Sequence, residues 1–351
     1  MVEIPLERAR LLARRLAAQQ LTARASSVAE AARRMLGVQA QDLTQAYWAL
    51  GARSVGTTEQ IVRATLATGA VVRTWCMRGT LHAVAVEDAG WLVRLLAPRN
   101  LARAARRRRE LEIDERDVRR ARTVAERHLA DGGLSRAALF ARFEEAGQAV
   151  RAQRGTQLLF CLSQEGVLHQ VGDLFVPAPA GEGRAGAPVG DEALFELARR
   201  YRLGHGPCTA TDLAFWAGIG KREAQRALER AELEELDELA SPPPPPRAIL
   251  LPGYDEYLLG YADRDACIDR RHAARVVPGG NGIYQPMVVL DGVIRGTWRR
   301  VEDGSGQRIH VQPFVSMGRW RAELERAAQA YAEFTGLPTE LRIELPSGKT
   351  R

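Results

Sequence analysis

Two glutamines that stand two residues apart are the clearest candidates for chemistry in the sequence. Gln39 and Gln41 lie in the segment GVQAQDLTQ, next to the small apolar residues Val38 and Ala40. Residues at this spacing share one side of an extended chain, whereas they do not share one side of a helix. Each carboxamide has one carbonyl acceptor and two N–H donors, so two on one side can hold a water molecule. The alternative role is structural, with the amides capping adjacent helices.

The residues around the pair predict that it lies in a link between two helices. The segment from Val28 to Leu36 has an amphipathic pattern, and Gly37 follows it at the position where a helix C′ glycine is expected. In an extended link, Gln39 and Gln41 point together and the small residues between and before them face the core.

Asp42 directly follows the pair, and the sequence leaves two roles open for it. Asp42 and Gln45 have the spacing of a capping box, with Asp in place of Ser or Thr, which predicts the start of a helix. In that role the Asp42 carboxylate accepts hydrogen bonds from the first turn. In the other role its charge acts as a base or stabilises positive charge beside the glutamines.

A basic hairpin is predicted downstream of the pair. The segment from Val71 to Val86 alternates on both sides of a turn near Arg78, and it follows three or four helices, which is the winged-helix pattern. Arg73, Arg78 and Thr80 are candidates to enter a nucleic-acid groove. His82 is a further candidate there and a candidate for catalytic support, although it alternates with valines and a half-buried structural role is equally open.

The order of elements recurs along the chain, which is the strongest sign of its domain organisation. A second round of helices ends in a short hairpin, and a third round of helices follows. Beyond residue 246 the pattern changes to alternating strands, with a hairpin turn at Asp291-Gly292. The sequence predicts a mainly α protein with α+β modules: tandem winged-helix (helix-turn-helix) units at residues 1–110, 111–180 and 190–241, then a small β-barrel-like C-terminal domain at residues 247–351.

The charge of the chain suits an anionic partner. The net charge is +7, and the basic residues are 48 Arg and only 2 Lys. Codon usage in a GC-rich genome explains part of the preference for Arg over Lys, but it does not explain the positive net charge of the chain. Arg106, Arg107 and Arg108 belong to a dense run at the end of a predicted helix. They form either a ridge that contacts DNA phosphates or an ordinary solvated helix end.

Several classes of site are excluded by spacing. The six histidines show no HxH or HxxxH spacing, and the four cysteines show no CxxC pair. Glycine-rich phosphate loops and GxSxG motifs are also missing from the sequence. We therefore expect no metal and no cofactor. There is no signal peptide and no long apolar run, so we expect a cytoplasmic, nucleoid-associated protein without a membrane partner.

Three segments together resemble the AlkZ/YcaQ-type winged-helix DNA glycosylases, a family that includes enzymes that unhook interstrand crosslinks. These segments are RRMLGVQAQDLTQAYWAL, RTWCMRGTLHAV and LLPGYDEYLLGYADR, and the resemblance covers nearly the whole chain. It implies that Gln39 and Gln41 are the catalytic pair of the Q-x-Q branch. It also implies tandem winged helices and a β-barrel-like domain around a basic channel. The matching residues Tyr254, Asp255, Tyr257 and Tyr261 are interpreted as domain-interface residues.

The resemblance implies a DNA glycosylase. The only lysines are Lys221 and Lys349, so we expect a monofunctional enzyme. Because neutral amides suit a base that is already cationic, we expect it to hydrolyse the N-glycosidic bond of N7-alkylguanine, with the crosslinked base among its substrates. The expected partner is double-stranded DNA carrying alkylated guanine, and the expected state is a monomer. The alternative is a non-catalytic winged-helix DNA-binding protein, such as a transcriptional regulator. Regulators usually carry one winged helix and dimerise, so the Q-x-Q motif and the triple array favour the enzyme.

Overall fold

A computed structural model of the protein describes residues 5–179, 186–232, 244–304 and 306–345. The first part of the chain forms the helices and the hairpin that the sequence predicted, and a long helix follows them. The elements are α1 (Leu6–Ala18), α2 (Val28–Met35), β1 (Val38–Gln39), α3 (Leu43–Gly51), α4 (Glu59–Ala67), β2 (Val71–Trp75), β3 (Leu81–Ala85) and α5 (Val86–Glu110).

The second and third rounds of the pattern also form the predicted elements. Ser135 caps a helix of the second round through the backbone N–H of Ala138. Residue 180 and residues 233–241, at the ends of these two expected units, lie outside the described residues. The elements are α6 (Glu115–Leu129), β4 (Leu134–Ser135), α7 (Arg136–Glu145), α8 (Arg154–Gln164), β5 (Leu168–Val171), β6 (Leu174–Pro177), α9 (Gly190–His205), α10 (Ala210–Ala217) and α11 (Lys221–Glu232).

The C-terminal part is a sheet with helices packed against it. The turn at Asp291-Gly292 is confirmed, since both residues have positive φ (49° and 79°), as a tight hairpin turn requires. The elements are β7 (Ala248–Leu251), α12 (Glu256–Leu259), α13 (Arg270–Val276), β8 (Met287–Leu290), β9 (Val293–Asp303), β10 (Gly306–Pro313), α14 (Arg321–Thr335) and β11 (Thr339–Ile343).

The first hairpin is not a free wing. It lies inside a six-stranded sheet whose order is β1-β3-β2-β5-β6-β4. Strand β2 pairs with β5 of the second round, with Arg73 opposite Gln170, so the two hairpins form one sheet. A strand that is paired on both edges cannot reach into a groove as an exposed wing does. The other sheet has the order β11-β10-β9-β8-β7, and β11 and β7 are its two open edges in the described residues, so the expected barrel closure is not seen.

Each hydrophobic core joins parts of the chain that are distant in sequence. One core combines α1–α4 with the C-terminal sheet, where the indole N–H of Trp48 donates to the carbonyl of Leu250 (2.7 Å). A second combines the first hairpin and α5 with α9–α11, and a third combines Trp75 and Leu81 of the first hairpin with the second round. The boundaries of the four units therefore stay predictions, because these units do not have separate cores.

The described helices include none that is both long and apolar enough to cross a membrane.

Candidate active site

The segment that carries the glutamines is a short edge strand. Gln39 in β1 pairs with His82 in β3, and the N–H of Ala40 donates to the carbonyl of Leu81 (2.7 Å). Val38 and Ala40 are fully buried, as expected from the alternation of side chains along an extended chain.

The two glutamine side chains are brought together. Gln39 is 7% exposed and Gln41 is exposed at the surface. The Nε2 amide of Gln39 donates a hydrogen bond to Oε1 of Gln41 (3.0 Å). The pair thus presents one sheltered and one accessible carboxamide on the same side of the chain.

The turn before this strand differs from the expected glycine cap. Leu36 adopts the left-handed conformation (φ 60°) at the end of α2, whereas Gly37 does not. A Cβ at Gly37 would overlap the terminal methyl group of buried Met77, so a larger residue here would need the Met77 side chain to shift. The sequence correctly placed the end of the helix but assigned the wrong residue to the left-handed position.

Sequence reasoning missed Glu256, a buried carboxylate directly behind Gln39. Its Oε1 accepts the backbone N–H of Gln39 (3.0 Å), and its Oε2 accepts the indole N–H of Trp216 (2.8 Å). Burial by itself would raise the pKa of this carboxyl, but a hydrogen bond with His205 and the nearby His82 and Arg78 hold the pKa at about 2. Glu256 lies in the segment EYLL, where a glutamate normally suggests an exposed helix position, so no local signal indicates its burial.

The helix that carries Glu256 is fixed by a buried ion pair. Both carboxylate oxygens of Asp255 accept from the guanidinium of Arg53 (2.8 Å each), and both side chains are fully buried. Asp255 also caps α12 through the N–H of Tyr257 (2.8 Å). The guanidinium of Arg53 also donates a hydrogen bond to Oε1 of Gln19 (2.9 Å). Asp255 is therefore an interface residue, as the sequence predicted.

Arg78 lies beside the glutamines with a side chain that is held in place. Its backbone has positive φ (56°) in the turn between β2 and β3. One guanidinium nitrogen donates to Oε1 of Gln39 (3.4 Å), and another donates to the carbonyl of Trp216. Burial lowers the pKa of this guanidinium, and the nearby Glu256 carboxylate partly offsets that effect. Arg78 thus orients the carbonyl of Gln39 and is not a free finger.

His82 and Thr80 are directed inward. His82 is fully buried, and its Nδ1 lies 2.9 Å from the carbonyl of Thr80. Burial lowers the pKa of His82 to about 4 in spite of the nearby Glu256, so this imidazole is neutral at physiological pH. The hydroxyl of Thr80 donates to the carbonyl of Met77 (3.1 Å) and closes the turn. Both residues support the hairpin beneath Gln39.

Asp42 forms half of the expected capping box. Its carboxylate accepts the backbone N–H of Gln45 at 3.1 Å and caps α3. In a full capping box the side chain of Gln45 would accept the backbone N–H of Asp42. Its Oε1 accepts the N–H of Gly253 instead (2.7 Å). This geometry favours the helix-cap role of Asp42.

Arg73 lies on the other face of the sheet from the glutamines. Register places Gln39, His82 and Thr74 in one row, and Arg73 in the row of Ala83. Adjacent residues of a strand point to opposite faces. Burial, and secondarily Arg136, lower the pKa of the Arg73 guanidinium.

The arginine run at the end of α5 is paired with carboxylates, with Arg106 and Arg107 exposed and Arg108 partly buried. Arg106 and Arg107 contact Glu110 (2.9 and 3.1 Å), and Arg108 contacts Glu115 (2.6 Å). The described contacts do not connect these arginines to the glutamine pair. Because exposed ion pairs of this kind are weak, a phosphate can replace the carboxylate at little cost.

A family model described as "DNA glycosylase AlkZ-like" matches residues 32–334 of the chain, which include the glutamine pair and Glu256. The chain belongs to the AlkZ-like DNA glycosylase family. Membership makes it an enzyme that acts on DNA.

The chain is similar to a relative and to a solved structure from Streptomyces sahachiroi. The chain is 25% identical over 345 residues to an "Interstrand DNA cross-link repair glycosylase", with 89% of this chain and 91% of the relative covered. Its fold is similar to the solved structure of "DNA glycosylase AlkZ" from the same organism. That match has a TM-score of 0.75 and 23% identity, and it covers 96% of this chain and 99% of the other.

Proposed function

We propose that this AlkZ-like enzyme is a monofunctional DNA glycosylase that excises N7-alkylguanine from duplex DNA, including guanine that is crosslinked to the opposite strand. In this proposal Gln39 and Gln41 hold the attacking water. The observation that carries it is the joined pair of carboxamides, one sheltered and bonded to Arg78 and the other exposed.

Neutral amides are adequate for this reaction because of the leaving group. Alkylation at N7 makes the guanine cationic, so the base leaves with the electrons of the C1′–N9 bond and needs no proton from the enzyme. The water oxygen forms the new bond to C1′, and its proton passes to solvent. The amide carbonyls orient that water and face the positive charge that develops on the sugar. An undamaged base lacks the cationic charge and would not leave.

The surroundings of the pair add to this electrostatic stabilisation. The Glu256 carboxylate is buried directly behind Gln39 and contributes negative charge on the side of the strand away from solvent. Charges act more strongly where water is excluded. The same carboxylate fixes the backbone N–H of Gln39, so it positions the side chain that touches the water.

The product is expected to be an intact abasic site. Cleavage of the sugar–phosphate chain by a glycosylase requires an amine nucleophile, normally lysine. The chain has only Lys221 and Lys349, and in the described contacts Lys221, the first residue of α11, is not bonded to either glutamine. The exposed position of Gln41 also suits a base that is tied to both strands and cannot swing into a deep pocket.

A duplex containing N7-methylguanine, and a second containing a nitrogen-mustard crosslink, test the proposal. The enzyme is incubated with each duplex, and abasic sites are then cleaved with alkali. We expect strand breaks with the wild type and a loss of at least about 100-fold in rate with Gln39→Ala or Gln41→Ala. Breaks without alkali would contradict the monofunctional reaction. DNA binding with no breaks would favour the regulator.

A further inference from the structure

A large aromatic residue is exposed next to the glutamine pair. Phe215 is 39% exposed on α10, although its neighbours Leu213, Trp216 and Ala217 on the same helix are buried.

Two guanidinium groups lie against this ring. The guanidinium carbon of Arg264 is 5.4 Å from the centroid of Phe215, and that of Arg78 is 5.7 Å from it. Arg78 also contacts the carbonyl of Gln39, so a continuous row of contacts leads from Gln39 through Arg78 and Phe215 to Arg264.

Arg264 is short of anionic partners. It donates to the hydroxyl of Tyr284 at 3.5 Å, and its Nε is buried without a hydrogen-bond acceptor. The next acidic residue, Asp265, is paired with Arg270. In the part of the chain that the structure describes, no ion pair with a carboxylate is seen for Arg264. Two cations around one ring thus leave positive charge that an anion can neutralise.

We propose that Arg264 and Phe215 form the contact surface for one nucleotide of the substrate strand, Arg264 binding its phosphate and Phe215 packing against its sugar and base. The inference rests on the proposed function for the identity of the ligand. A strand that brings C1′ to the glutamines must carry its own phosphates across the adjoining surface, and Arg264 supplies a charged donor there. Base–aromatic packing tolerates any sequence, which suits a repair enzyme.

The test measures affinity for an undamaged, fluorescein-labelled duplex by anisotropy from about 0.05 to 0.3 M salt. Each lost phosphate contact reduces the slope of log K against log salt by about 0.9. We expect that reduction for Arg264→Gln and the wild-type slope for Arg264→Lys, which keeps the charge. The control is Arg321→Gln, which removes the same charge from an exposed pair with Glu325 on α14. An equal change in this control, or a wild-type slope in Arg264→Gln, would overturn the proposal.

Phe215→Ala tests the apolar half of the surface. We expect about 10-fold weaker binding with an unchanged salt slope, because packing against a base contributes without releasing counterions. Ile61→Ala, which truncates a 46% exposed residue on α4, is the matched control and should bind like the wild type. Wild-type binding by Phe215→Ala, or equal loss in both variants, would refute the apolar contact.

The binding assay separates this inference from the proposed function. If the wild type binds duplex and excises nothing, the proposed function fails while a reduced slope for Arg264→Gln still supports the contact. If the wild type excises N7-methylguanine and Arg264→Gln retains both the wild-type slope and the wild-type excision rate, the contact is refuted and the function stands.

Discussion

Gln39 and Gln41 have the residue types that the proposed reaction needs, but their neighbours decide what they can do. The carbonyl of Gln39 accepts from Arg78, and its backbone N–H donates to Glu256. A buried carboxylate with a pKa near 2 is ionised at physiological pH. Glu256 is therefore a negative charge behind the site, and we interpret it as a positioning residue.

Glu256→Gln tests this role. The amide removes the charge, and its NH2 group must face either the N–H of Gln39 or the indole N–H of Trp216, so one hydrogen bond is replaced by two opposed donors. We expect excision to fall by about 10- to 100-fold, which corresponds to the loss of a hydrogen bond to a charged group. Affinity for undamaged duplex should change little, because this carboxylate is buried away from the DNA.

Two comparisons control the experiment. Glu59→Gln removes the partner of an exposed ion pair with Arg63 and should leave excision unchanged. Trp216→Phe removes one donor to Glu256 but keeps its charge, so it should retain more activity than Glu256→Gln. Equal excision by Glu256→Gln and the wild type, measured under single-turnover conditions, would contradict the positioning role.

At the scale of elements, two local features place the Q-x-Q segment in the extended strand β1. Val38 and Ala40 are small enough to be fully buried against the sheet, and Leu36 reverses the chain after α2. The alternation of residue types predicted the extended link from sequence. Neither its pairing with β3 nor the close approach of Met77 to Gly37 was predictable, because both depend on residues about 40 positions away.

Asp42 directly precedes α3, and its two possible roles, helix cap and catalytic base, predict different effects of mutation. As a helix cap, Asp42→Asn should be nearly neutral and Asp42→Ala should lower the free energy of unfolding by about 1 kcal/mol. Both variants should excise N7-methylguanine at rates within about threefold of the wild type. If Asp42 were the base, both variants would lose activity to the same extent. Thermal or urea unfolding and single-turnover excision give both readouts.

At the scale of the whole molecule, the first and last parts of the chain share a core. The helices α1–α4 pack on the C-terminal sheet, and the buried pair of Arg53 and Asp255 links them in the same region. The site is assembled from β1, the β2–β3 turn, α10 and α12, so it depends on this long-range packing.

Asp255→Asn therefore has a strong expected effect on stability. It leaves the guanidinium of Arg53 buried without its counter-charge, and removing one partner of a buried pair costs about 3–5 kcal/mol. Urea unfolding followed by tryptophan fluorescence should show this loss in a single transition, because Trp48 lies in the shared core. Glu325→Gln, which removes the partner of exposed Arg321, is the control and should cost less than about 1 kcal/mol. A loss below about 1 kcal/mol in Asp255→Asn would show that the pair does not hold the two parts together.

The sequence by itself determined most of the helices, the three hairpins, the Q-x-Q segment and its extended conformation, whereas α12 and α13 were not predicted. These features follow from local periodicity, capping residues and turn residues, which act over a few positions. Only the tertiary structure decided that Glu256 lies behind Gln39, that Arg73 is on the far face of the sheet, and that the first hairpin is interior. Those outcomes depend on burial and on pairing between residues far apart in the chain. A local sequence pattern does not indicate which distant residues will bury a given side chain.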